Sequence, residues 1–84
     1  LSVPTRVELA IAMSGARLDL GQTEAALAEL EIPQLDASTA FGYSPALFDA
    51  YAIVLDELGR TAEADEWARR ADLAAEALAS AGAD

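Results

Sequence analysis

Apolar positions recur along this chain at helical rather than alternating spacing, in four blocks separated by turn residues. In the first block Val7, Ala10, Ile11, Ser14 and Leu18 share one arc of a 3.6-residue period. Thr5 followed by Glu8 matches a capping box, with Pro4 just outside it, so a helix is expected from about Thr5 to Leu20. The second block carries Ala26, Leu27 and Leu30 on one face, with Thr23 as its expected cap and Pro33 as its stop. Ser44 before Pro45 reads as a cap with proline at the first helical position, and opens a third helix with the stripe Leu47, Phe48, Tyr51, Ala52, Leu55 and Leu58. The fourth helix is expected from about Thr61 to Ser80, with Ala64, Trp67, Ala68, Ala71, Ala74, Ala75 and Leu78 within one arc. Its acid-first pairs Asp65–Arg69 and Glu66–Arg70 stand at a spacing worth roughly 0.2–0.5 kcal/mol each. The tail from Ala81 to Asp84 is expected to fray.

One short stretch occurs nearly twice. Leu20, Gly21, Gln22, Thr23, Glu24, Ala25, Ala26 is echoed by Leu58, Gly59, Arg60, Thr61, Ala62, Glu63, Ala64, an offset of 38 positions from Gly21 to Gly59. Glycine takes the left-handed conformation that closes a helix, so each copy reads as a helix, a tight turn and a second helix. The fold expected is all-α: four helices in two antiparallel hairpins, about 5–32 and about 45–80, stacked as one domain over residues 1–84. Between them, residues 33–44 lack a period and read as a loop. Its Phe41 and Tyr43 are expected to fold back over the seam between the hairpins, or to meet a partner.

Composition narrows the chemistry. With 84 residues the chain makes one small domain, which buries roughly 60–65 % of its unfolded surface. About a quarter of the residues are alanine, which favours helix and lets helix axes approach closely. There is no Cys and no His, so thiolate nucleophiles, the commonest general base and the commonest zinc ligands are missing. Fifteen acids against five arginines give a net charge of −10, a field that repels phosphate backbones and anionic membrane surfaces. Uninterrupted apolar runs such as Leu9 to Met13 are far short of the roughly 20 residues of a membrane span. No signal peptide is recognisable, and a cytoplasmic location is expected. The start at Leu1 rather than Met leads to the expectation that the chain is part of something longer.

The second hairpin resembles the tetratricopeptide repeat. Phe48, Tyr51, Ala52 and Leu55 stand where that family keeps its first-helix signature, Gly59 stands at the turn, and Ala64, Ala68 and Ala71 stand where its helices touch. The first copy matches through Met13, Ser14, Gly21, Ala26 and Leu30, but has Arg17 where an aromatic is usual and Pro33 in place of a packing alanine. Its offset of 38 exceeds the family's period of about 34, the excess falling in the loop. The likeness covers about residues 6–78, and the chain is similar to the C-terminal part of actinobacterial tetratricopeptide proteins of unassigned function.

This resemblance implies a stack of antiparallel helices whose first members line a groove for a peptide or partner helix. Carried over by register, the groove residues are Glu8, Ile11, Gly15, Leu18 and Asp19 from the first copy and Asp49, Ile53, Asp56 and Glu57 from the second. The basic clamp with which the family holds acidic C-termini is absent from these positions, so a basic or mainly apolar protein partner is expected. Each acid among them has a plainer reading as part of a solvated helix face; paired carboxylates serve metal binding or acid–base work only when they converge. Arg17 is expected to offset nearby acid through Glu24 or Asp19, and Gly15 and Gly21 follow no strand, so a nucleotide loop is not supported. Trp67 reads as packing or as an interface anchor, and Leu73, set among Asp65, Glu66, Arg69, Asp72 and Glu76, as incidental or as a contact with another chain.

The reading is therefore a noncatalytic interaction module with no cofactor and no metal, contacting neither nucleic acid nor membrane. The alternatives are a homodimerisation unit working through Trp67 and Leu73, and a docking or regulatory segment of a larger enzyme.

Overall fold

The computed structural model describes residues 2–82, and over them the chain forms four α-helices. They are α1 (Val3–Asp19), α2 (Thr23–Leu30), α3 (Ser44–Glu57) and α4 (Thr61–Ala81). Helices α1 and α2 pair as one hairpin and α3 and α4 as another; α3 also packs on both helices of the first hairpin, while the backbone of α4 approaches only α3. The result is a slab of 44 × 32 × 18 Å, thinner than two helix diameters, so every helix keeps a face in water. Of the expected fraying tail, Ala81 is still helical, and Ala83 and Asp84 lie outside the described residues.

The two turns have the same hydrogen-bonded geometry. Gly21 N–H donates to the Leu18 carbonyl at 2.9 Å and Gln22 N–H to that of Arg17 at 2.8 Å; at the second turn Gly59 donates to Asp56 and Arg60 to Leu55, both at 2.9 Å. This is the Schellman closure, and it needs a left-handed residue, which Gly21 (φ 75°) and Gly59 (φ 78°) supply without a Cβ penalty. Ala26 N–H then donates to the Gln22 carbonyl and Ala64 N–H to that of Arg60, each at 2.9 Å, so the next helix starts at the same point in both copies. Gln22 and Arg60 occupy the N-cap positions with no side-chain cap, and Thr23 is the first helical residue rather than the cap.

Two other caps differ from the sequence reading. Helix α1 begins two residues early, because Ser2 takes the capping role: its Oγ accepts from Thr5 N–H at 3.3 Å and donates to Thr5 Oγ1 at 2.8 Å. Proline fits the first turn, where no intrahelical N–H bond is lost, so Pro4 lies inside the helix. Ser44 is fully buried and caps nothing; its Oγ accepts the Phe41 N–H at 2.9 Å while its own N–H donates to the Phe41 carbonyl at 2.9 Å.

The core runs through both hairpins. Val7, Leu27, Leu30, Leu47, Phe48, Tyr51, Val54 and Leu55 fill it, and Ala26, Ala64, Ala71 and Ala74 let the helices close on them. Trp67 lies half-buried with its ring edge-on to Phe48 (5.3 Å) and Tyr51 (5.2 Å), covered by the Arg70 guanidinium at 4.6 Å. The loop contributes Ile32, Leu35 and Tyr43 to this core. It turns at Asp36, whose Oδ1 accepts from Ser38 N–H and Oγ–H, and these bonds hold the Asp36 carboxyl below its ordinary range. Ala75, expected on the packed arc of α4, is exposed, because α3 is the only helix that packs on α4.

Candidate functional site

A hollow of about 510 Å³ opens between the first turns of α1 and the start of α3. Pro4, Val7, Glu8 and Ile11 form one wall, Phe41, Gly42 and Tyr43 the other, and Ala46 the end. Glu8 is the one ionised side chain on it, set at the margin of an apolar surface. The volume lies within the range of about 300–1,000 Å³ usual for ligand clefts.

The aromatic wall is held by the loop's own chemistry. The double exchange between Ser44 and Phe41 fixes the backbone beside Gly42, and the Phe41 and Tyr43 rings stack at 5.5 Å and 28°. Tyr43 leans on the core, whereas Phe41 keeps 53 % of its surface in water. A large ring presented to solvent by a pinned backbone has lost little freedom still to be lost on binding, which favours contact with a partner.

The remaining groove candidates sit elsewhere. Asp49, Ile53 and Asp56 open onto a shallow hollow of about 270 Å³ between α3 and α4, shared with Ala52, Ala64, Asp65 and Ala68. Helix geometry explains the division: Asp49 lies about 60° around α3 from Ala46, on the side toward α4. Leu18 is half-buried against the core, Asp19 and Glu57 are exposed and line neither hollow, and Gly15 is open, with nothing within 4 Å of where a Cβ would stand. Leu73 borders a third hollow of about 180 Å³, made with residues 37–40 of the loop, Phe48, Arg70, Ala74 and Ala77.

Compared with family models, curated proteins and solved structures, the chain matches none. Among the described residues no three His, Cys, Asp or Glu side chains gather to hold a metal ion, and no helix is long and apolar enough to cross a membrane.

The charged groups near the turns are paired differently from the sequence expectation. Arg17 turns from Glu24 and Asp19 to Gln22, whose Oε1 it meets at 2.7 Å, with Glu29 at 3.9 Å across the hairpin. At the second turn Arg60 makes a two-pronged pair with Glu63 at 2.7 and 3.0 Å, which raises the guanidinium and lowers the carboxyl from their ordinary values. Glu66 meets Arg70 at 2.6 Å, but Asp65 and Arg69 make no ion pair; Asp65 lies instead at the α3–α4 hollow.

Sequence reasoning missed Pro4, Val7 and Ala46 as lining of the main hollow. Each had an adequate structural reading, as helix start, core or filler, and no periodicity distinguishes a residue that is both packed and lining. It also missed the outward stripe of Leu9, Met13 and Leu20, which leave 52 %, 40 % and 70 % of their surfaces exposed.

Proposed function

We propose that the chain is a noncatalytic, tetratricopeptide-like interaction module that takes an apolar side chain of a protein partner into the α1–α3 hollow, with an adjacent basic group against Glu8. The observation that carries this reading is the hollow itself: apolar walls, a pinned aromatic rim and a single carboxylate at the edge. Support for the repeat character comes from two hairpins closed by the same hydrogen bonds and from α3 packing on both helices of the preceding hairpin. Support for a basic partner comes from the net charge of −10, which attracts cationic segments and speeds their encounter.

In this reading the module needs no cofactor, contacts neither nucleic acid nor membrane, and works in the cytoplasm. Binding draws on burial of an anchor residue, at about 25 cal/mol per Å² of apolar surface before the costs of ordering, and on one charge contact at the rim. The test is a panel of matched peptides carrying one large apolar anchor flanked by basic, neutral or acidic residues, passed over immobilised protein. The expected order of affinity is basic, then neutral, then acidic. A preference for acidic peptides rejects the reading.

A further inference from the structure

Resting on the reading of the α1–α3 hollow as the binding site, we infer that the partner segment it takes up is an amphipathic helix. The helix lies across the mouth of the hollow, with two or three apolar side chains pointing in and one basic side chain at Glu8. Size is the first ground. A cavity of about 150 Å³ takes up one benzene ring, whereas this hollow measures about 510 Å³. A single anchor leaves most of it empty, so a ligand that fills it brings several side chains from one face. The α1 wall has the matching length: Pro4, Val7, Glu8 and Ile11 share one face of that helix and span about 10 Å, two helical turns. A partner helix covers that distance with side chains at i, i+3 or i+4, and i+7.

Backbone hydrogen bonding separates a helix from an extended peptide. An extended peptide brings a row of N–H and C=O groups that need partners once they are buried. The walls supply few. Phe41 N–H donates to Ser44 Oγ and the Phe41 carbonyl accepts from Ser44 N–H, while the Tyr43 carbonyl accepts from Leu47 N–H at 3.1 Å. On the other wall the backbone belongs to the ladder of α1 itself. Among the described residues no strand offers an edge to extend. A helix bonds its own backbone and presents only side chains, which is what two apolar walls accept. Glu8 is the one ionised side chain on the lining and belongs to none of the ion pairs among the described residues. It therefore suits a basic residue flanking the ligand's apolar stripe.

The test titrates the isotopically labelled full chain with three peptides of about 15 residues, each carrying three leucines and one arginine. The first spaces its leucines at i, i+3 and i+7 and is held helical by a side-chain bridge on its outer face; the second sets them at alternate positions; the third is the first, unbridged, with a central proline. The bridged helix is expected to bind at least about 10-fold more tightly than either of the others. Its amide shifts should centre on Val7, Glu8, Ile11, Phe41 and Tyr43, and Phe41→Ala should abolish them. If the alternating or the proline peptide binds at these residues as tightly as the bridged helix, the helical form is overturned and the hollow stands as a site for extended peptides. If none of the three shifts these residues, the helix and the site fall together.

Discussion

The Tyr51 hydroxyl, in the middle of α3, donates to Oε2 of Glu31 at 3.0 Å, just past the end of α2. The same ring lies edge-on to Trp67 of α4 at 5.2 Å, so one side chain joins the first hairpin to both helices of the second. A buried phenol must find an acceptor for its proton, and here the acceptor is a carboxylate at the hairpin seam. Tyr51→Phe keeps the ring and removes the bond. It is expected to cost about 1 kcal/mol at neutral pH, modest because Glu31 stays in contact with water, as read from urea unfolding followed by the fluorescence of Trp67.

The same bond sets an alkaline limit. Burial first, and then the Glu31 hydrogen bond and charge, raise the Tyr51 hydroxyl above its ordinary value of 10.0. A group whose pKa is raised by folding contributes stability that is whole below its unfolded pKa and lost as pH climbs toward the folded one. Stability of the natural chain should therefore decline from about pH 10 upward. Tyr51→Phe lacks this contribution, so the gap between the two proteins should narrow between about pH 9 and about pH 11 in the same urea experiment. A gap that widens contradicts the assignment.

The glycines make predictions of opposite sign. Gly21→Ala and Gly59→Ala force a Cβ into left-handed backbone with open space around it, so only conformational strain acts, and each should cost about 1–2 kcal/mol. Gly15 sits in the interior of α1 with equally open space, and Gly15→Ala should stabilise by about 0.5–1 kcal/mol. Thermal unfolding by circular dichroism measures all three. Equal costs at the two turns would match their equal geometry.

Acid excess should make the fold salt-sensitive in an unusual direction. The chain has three ion pairs among its described residues, all partly or fully exposed, against a net charge of −10. Screening removes little from such pairs and more from the general repulsion. The melting temperature should rise between about 0.02 and about 0.3 M NaCl, and a fall would mean that the pairs outweigh the repulsion.

Much of the fold was legible because its determinants are local. The Gly21 and Gly59 turns, the Leu47 to Leu58 stripe and the break at Pro33 each act through neighbours within a few residues. The caps were less legible: Ser2 and Thr5 are both good capping residues, and Pro4 between them is compatible with either, as first helical residue or as the residue before the cap. Ser44 was read as a cap, yet its hydroxyl is claimed by Phe41 N–H, a choice made by the path of the loop rather than by the helix. The groove residues were only partly joined, because which side of α3 faces α1 depends on how the two hairpins sit on each other. Ala46 meets Glu8 and Ile11 at the main hollow, while Asp49 and Asp56 turn toward α4. Leu9 stood out only as part of an apolar run, and Met13 only there and in the repeat register, since exposure of an apolar side chain is a property of the packed molecule.

In the proposed function a partner's apolar anchor enters the hollow between α1 and α3 beside Glu8. Titration of the isotopically labelled chain with a short peptide bearing one leucine next to an arginine tests it residue by residue in amide NMR spectra. The expected result is a set of shifts concentrated at Val7, Glu8, Ile11, Phe41, Gly42 and Tyr43, lost in Phe41→Ala and weakened several-fold in Glu8→Gln. Shifts confined to Asp49, Ile53 and Asp56, or none at all, would contradict it.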